Sequence, residues 1–319
     1  FGGTMNDSLR TVLSVKKSIK PLEKRTLRLS VDNSTAEEII AEAERKHHVA
    51  KVRLLKELKE RKILNREYAT GMLHIPAQTI QKLEQQKIIS TIVEELYRTP
   101  GQSISKCKER PLLNEEQQFA CDTVCMDYRA GKRGIYLLHG VTGSGKTEVY
   151  LCVIEEVLKE NRQVIVLIPE IALTYQTVRR FEERFGERVA FLHSRLSQGE
   201  RYDQYRKAKE GKIDIMIGPR SALFTPFERL GLIVIDEEHE RSYKSETVPK
   251  YHARETAVEL AKMTNSSVLL GSATPSLESY QAALEGKYKL LHLTKRAKNA
   301  RLPEVRIVDL KEELKTKNR

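Results

Sequence analysis

Eight consecutive residues, Gly140-Val141-Thr142-Gly143-Ser144-Gly145-Lys146-Thr147, follow the spacing G-x-x-x-x-G-K-[ST]. The glycines let backbone N–H groups turn toward a phosphate without a Cβ in the way. A helix starting at Lys146 adds positive potential at its N-terminus. Lys146 is then placed for the β- and γ-phosphates of ATP, and the Thr147 hydroxyl for Mg2+. Gly140, Thr142, Gly143, Ser144 and Gly145 complete the cradle. Some 90 residues on, Leu232-Ile233-Val234-Ile235 runs into Asp236-Glu237-Glu238-His239. An apolar strand delivers Asp236 to its C-terminal tip, where open α/β sheets bind ligands. Asp236 is expected in the Mg2+ shell beside Thr147. Glu237 is expected to orient the attacking water. Catalysis would therefore rest on Lys146, Asp236 and Glu237. A third strand tip, Gly271-Ser272-Ala273-Thr274-Pro275, offers small hydroxyls that can bond the acidic box, with Ser272, Thr274 and His239 as the coupling set.

These residues need a parallel sheet to bring them together. Apolar runs at Gly134–Leu138, Gln163–Ile168, Val189–Leu192, Asp214–Ile217, Leu232–Asp236 and Val268–Leu270 alternate with helical patterns. Such runs lack in/out alternation, so they read as strands covered on both faces. Upstream, Ser34 with Glu37 fits a capping box. Apolar residues from Ile39 to Leu58 then recur at helical spacing, as one long helix or two shorter ones. Pro76 suits the first turn of a further helix running to about Gln86. Ile88–Val93 and Leu96-Tyr97 read as the short strands of a hairpin. Helices followed by a hairpin suggest a winged helix, with a helical spacer as the alternative. The boundaries expected are a remnant or linker over 1–34, a winged-helix-like domain over 35–100, a linker over 101–110, the α/β lobe over 111–300, and a connecting segment over 301–319.

The chain has 319 residues, 31% of them charged and 39% hydrophobic, which excludes a coiled coil, a collagen or a wholly disordered chain. No apolar run is long enough to cross a membrane. Basic residues outnumber acidic ones by 22 to 14 over 1–110 and by 11 to 4 over 287–319, against 23 to 26 over 111–286. Basic flanks around a near-neutral middle suit a polyanion partner, or simply a Lys-rich surface. Cys107, Cys121, Cys125 and Cys152 contain no CxxC pair and are expected as buried free thiols in a reducing, cytoplasmic compartment. The chain opens on Phe1, so its native start is expected upstream.

GVTGSGKTEVY (140–150), LIPEIALT (167–174), GPRSALFTPF (218–227), DEEH (236–239) and GSATPSLES (271–279) together resemble the first motor lobe of a superfamily 2 helicase. Their wording is similar to the primosomal, replication-restart helicases. The resemblance covers about residues 110–310. It implies a RecA-like lobe in an ATP-dependent DNA helicase with Mg2+ as cofactor, travelling 3′ to 5′ on forked and single-stranded DNA. By the same resemblance, the partners are other primosome proteins and single-strand DNA-binding protein. Gln117 takes the place of the adenine-reading glutamine. Pro169, Glu170, Thr174, Arg220 and Ser221 fall where the DNA backbone would pass. Tyr243, Lys244 and Tyr251 fall in an aromatic-rich loop thought to couple DNA contact to hydrolysis, with core packing of the tyrosines as the alternative. In the preceding domain Lys51, Arg53, Lys62 and Arg66 are expected to touch DNA. No second lobe, arginine finger or cysteine-rich zinc insert follows within the chain, so zinc is expected in a parent protein and not here. The chain by itself is expected to bind nucleotide weakly and hydrolyse it poorly. The alternatives are another superfamily 2 translocase, or a non-catalytic DNA-binding module whose phosphate loop is only structural.

Overall fold

The computed structural model describes residues 4–12, 22–96 and 111–296. Thr99–Ser103, Cys107 and the segment over 301–319 lie outside the described residues. The chain divides into two compact units, one centred on Val15–Gln102 and one on the residues after Ser103.

After a short helix α1 (Met5–Val12), the smaller unit runs β1 (Leu22–Leu29), α2 (Asn33–Arg45), α3 (Val49–Arg61), β2 (Ile63–Asn65), α4 (Arg66–Gly71), α5 (Ala77–Gln85) and β3 (Ile89–Leu96). Its antiparallel sheet has the order β2-β1-β3. Two expectations are corrected here. The hairpin expected at 88–97 is instead one continuous strand over Ile89–Leu96, Tyr97 lying outside the described residues, and its partner is β1, from the stretch taken as remnant. The strand is supplied from 60 residues upstream, so no local turn signal marks it. The amphipathic pattern over 34–58 is two helices, broken where His47 takes a positive φ of 56°. Helix α2 starts from Asp32, whose carboxylate accepts the hydroxyls of Ser34 and Thr35, and not from a Ser34 capping box. Leu27, Leu54, Leu55, Leu58, Ile80 and Leu83 close the core between sheet and helices.

The larger unit contains α6 (Glu115–Arg129), β4 (Ile135–Gly140), α7 (Lys146–Lys159), β5 (Gln163–Leu167), α8 (Tyr175–Phe185), β6 (Val189–Phe191), α9 (Gln198–Lys209), β7 (Ile215–Gly218), β8 (Leu230–Ile235), α10 (Ala253–Thr264), β9 (Ser267–Ser272), α11 (Leu277–Leu284) and β10 (Lys289–Leu293). All paired strands are parallel, in the order β10-β4-β9-β8-β5-β7-β6. The six apolar runs are all strands, and every residue of β5, β7, β8 and β9 is buried, as a doubly covered sheet requires. The seventh strand, β10, lies in the basic tail region, where an edge position tolerates Lys289 and His292. The order puts β9 between β4 and β8. The Gly271-Ser272 tip therefore lies between the phosphate loop and the acidic box.

The cysteines depart from expectation. Cys121 on α6 and Cys152 on α7 are joined as a disulfide, their Cα atoms 6.3 Å apart. Two facing helices bring residues 31 apart to one level, which spacing along the chain does not reveal. Among the described residues Cys125 is the free cysteine, and burial pushes its thiol up to about 11.

Candidate active site

The phosphate loop is built as its residue types demand. Gly143 and Gly145 have φ of 79° and 82°, conformations that disfavour a side chain. At Gly140 the constraint is space: a Cβ there would lie 2.6 Å from Ser144 Oγ. Among the described residues that buried hydroxyl has no hydrogen-bond partner. Lys146 opens α7 and is buried. Its Nζ donates to Gly140 O at 3.0 Å and lies 3.6 Å from Glu237 Oε1. Thr147, Asp236 and Glu237 line the same cavity, of about 660 Å³, with Gln117, Arg180 and residues 142–146. Lys146 and Asp236 therefore line one cavity. A hydroxyl and a carboxylate are hard oxygen donors of the kind Mg2+ takes, so this pair fits that ion.

Burial raises the carboxyl of Asp236 above the ordinary range, and a hydrogen bond from Tyr150 works against the shift. Two tyrosines hold this residue. Tyr150 Oη donates to Asp236 Oδ1 at 2.9 Å. Tyr243 Oη donates to the carbonyls of Asp236 and Leu167 at 2.7 and 3.0 Å. Both hydroxyls are held protonated, chiefly by burial. Beside them, His239 Nδ1 is 2.7 Å from Ser272 Oγ, which also accepts the N–H of Thr274 at 3.0 Å. Ser272, Thr274 and His239 thus lie together at the strand tips.

Glu238, the third acid of the box, faces away from the cavity and is fully buried. It accepts from Arg254 Nη1 at 2.8 Å, Ser276 N at 2.7 Å, and the hydroxyls of Ser276 and Ser279 at 3.1 and 2.9 Å. Arg254 is spent on this cluster. It is not free for a phosphate.

Residues 114–283, just over half of the chain, match the family model described as DEAD/DEAH box helicase. The chain belongs to the DEAD/DEAH box helicase family. The chain is also 49% identical over 242 residues to the Bacillus subtilis replication restart protein PriA, covering 76% of this chain and 30% of that protein. It is 40% identical over 316 residues to the Chlamydia muridarum protein of the same name, covering 98% of this chain and 41% of that one. The chain thus spans under half the length of these relatives. A solved structure of RecG bound to a three-way DNA junction aligns over 61% of this chain and 25% of that one, at 24% identity and a TM-score of 0.44.

Within this helicase lobe several expected contacts are placed differently. Gln117 reaches the site, but its amide is engaged. Oε1 accepts from Asn114 N at 2.9 Å in a capping box, and Nε2 donates to Ser144 O at 2.7 Å. Tyr243 is 1% exposed and cannot stack on a base, because its ring fills the space under the sheet tips. Tyr251 is half-buried, its ring edge-on to Phe224 at 5.4 Å. Pro169 is buried at the start of a 3-10 turn. Glu170, Thr174 and Lys244 are exposed, and Thr174 caps α8. Ser221 is half-buried. Arg220 donates to the carbonyls of Ser242 and Lys244 at 3.1 and 2.6 Å, bracing the aromatic-rich loop. The resemblance covers Tyr150 but assigns it no role, and no signal in the sequence marks Glu238–Arg254 as a buried pair.

Gly271 gives a direct check on this packing. A Cβ there would sit 1.6 Å from Tyr150 Oη. Gly271→Ala is therefore expected to lower stability by about 1–3 kcal/mol through overpacking. Denaturant unfolding of the two proteins measures it.

Proposed function

We propose that this chain is the ATP-hydrolysing first motor lobe, with an adjoining DNA-binding unit, of a replication-restart DNA helicase. The convergence of Lys146, Thr147, Asp236 and Glu237 on one cavity carries the reading. Kinship with replication restart proteins supports the substrate class and a cytoplasmic place of work.

In this reading Thr147 and Asp236 would hold Mg2+, which would supply charge neutralisation to the triphosphate. Lys146 neutralises the β- and γ-phosphate oxygens from the helix N-terminus. Glu237 accepts a hydrogen bond from the attacking water and aims its oxygen at the γ-phosphorus. The water oxygen bonds to the γ-phosphorus as the bond from γ-phosphorus to the bridging oxygen breaks, ADP leaves with that electron pair, and the water proton passes toward the Glu237 carboxylate. His239 lies beside Glu237, its Nδ1 3.7 Å from Glu237 Oε2, and bonds Ser272, which links the acidic box to the third strand tip. Gln117 ties the α6 cap to the phosphate loop, and its second amide N–H and remaining Oε1 lone pair are what it keeps for the base end. DNA runs over Glu170, Thr174, Arg220, Ser221, Lys244 and Tyr251, at the tips of β5, β7 and β8. Forked and single-stranded DNA are the ligands, with primosome proteins and single-strand DNA-binding protein as partners.

The smaller unit adds Lys51, Arg53, Lys62 and Arg66 toward fork DNA. Arg53 Nη1 also donates to Leu73 O at 3.0 Å, leaving the rest of its fork to a phosphate. Affinity of the chain for forked DNA is expected to fall steeply with salt, and Lys62→Ala to reduce the log–log slope by about 1. Fluorescence anisotropy at several salt concentrations measures both. A slope near zero would leave the smaller unit a spacer. ATPase stimulation by forked DNA and not by RNA separates this reading from an RNA-directed superfamily 2 enzyme.

A further inference from the structure

We propose that Tyr150 is a positioning residue for Mg2+: its hydroxyl fixes the rotamer of Asp236 so that one carboxylate oxygen is held and the other is presented to the ion. The proposal rests on the nucleotide reading above and adds a residue to it.

Tyr150 lies four residues after Lys146 on α7, hence on the same helix face. The helix therefore carries three groups for one ligand: the ammonium of Lys146, the hydroxyl of Thr147, and a phenol that acts through Asp236. The phenol is 1% exposed and donates to Oδ1 at 2.9 Å. Oδ1 spends a lone pair on this bond, which leaves Oδ2 as the oxygen not bonded to Tyr150, and the Glu237 backbone N–H also bonds the carboxylate. A carboxylate free to rotate would lose orientational entropy on binding the ion, and Tyr150 removes that cost in advance. The space for the hydroxyl is provided by Gly271 on β9, whose missing Cβ would otherwise overlap it. One buried group thus meets the phosphate-loop helix, the acidic strand tip and the third strand tip.

Tyr150→Phe in the full 319-residue chain tests this, because the ring packing is kept and only the hydroxyl is lost. The probe is a fluorescent ATP analogue titrated with Mg2+, and again in EDTA, with Mn2+ binding followed by electron paramagnetic resonance. In the variant the half-saturating Mg2+ and Mn2+ concentrations should rise about 10-fold, the lower end for loss of a group that orients a metal ligand. Nucleotide affinity in EDTA should stay within about twofold, and thermal unfolding should remain cooperative. Unchanged metal dependence in the variant overturns the proposal. So does an equal loss with and without metal, which marks a merely structural tyrosine. If the wild-type chain shows no metal-dependent nucleotide binding, the nucleotide reading falls as well, and that outcome is visible before any variant is made.

Discussion

Lys146→Ala is expected to weaken nucleotide binding further while leaving the fold intact. Lys146 is the cation at the heart of the phosphate loop, nearly buried, with Nζ between Gly140 O and Glu237. In water its charge would be worth little, but in a partly desolvated cavity the same charge acts through a lower dielectric. Charged hydrogen bonds of this kind contribute about 1.5–3 kcal/mol each. Affinity for an ATP analogue should therefore fall about 10- to 100-fold. Hydrolysis should fall further, by about 10²–10³-fold, because charge builds on the γ-phosphate only as the reaction proceeds. Glu237 sharpens the loss, since without Lys146 it faces the incoming phosphates uncompensated. Lys146→Arg should rescue poorly: a planar fork does not replace a compact point charge at this depth. Fluorescent-nucleotide titration and DNA-stimulated ATPase measure the two effects, and circular dichroism reports the fold.

The largest loss of stability is expected from Glu238→Ala. Glu238 is fully buried and accepts four hydrogen bonds, one of them from a buried guanidinium. Removing it strands Arg254 and leaves the N–H of Ser276 without its acceptor at the start of α11. Breaking a buried pair from one side costs about 3–5 kcal/mol. Much of that is the price of an uncompensated charge, so Glu238→Ala with Arg254→Met should recover part of it. Denaturant midpoints of the three variants decide this. A single-variant loss under about 1 kcal/mol would mean that the pair is reached by water and does not hold the Gly271–Ser279 segment.

Glu238 also shows what a sequence can and cannot give here. The string Asp236-Glu237-Glu238-His239 identifies the acidic box, yet the alternation of side chains past a strand tip sends one acid into a different cluster. Asp236 and Glu237 were readable because strand and motif together fix their place. The fate of Glu238 depends on α10 and α11, which meet it only in three dimensions. Tyr243 is a similar case. Aromatic and basic neighbours in sequence look like a base-stacking loop, but the ring is covered by the tips of β5 and β8. The six covered strands were legible as unbroken apolar runs such as Gln163–Leu167. β1 and β10 were not, since Glu23, Lys24, Arg25 and Arg28 on one and Lys289 and His292 on the other dilute the pattern. An open face or an edge permits such residues without marking the strand. The phosphate loop stood out because its glycines answer a steric demand that few other turns share.

The central claim is that the phosphate loop and the acidic strand tip share one Mg2+–nucleotide. A crystal structure of the chain with Mg2+ and a non-hydrolysable ATP analogue tests it most directly. Lys146 Nζ within hydrogen-bond reach of the β- or γ-phosphate, with Thr147 and Asp236 both in the coordination or hydration shell of one ion, is the predicted result. A nucleotide bound elsewhere, or an ion held without Asp236, would contradict the account.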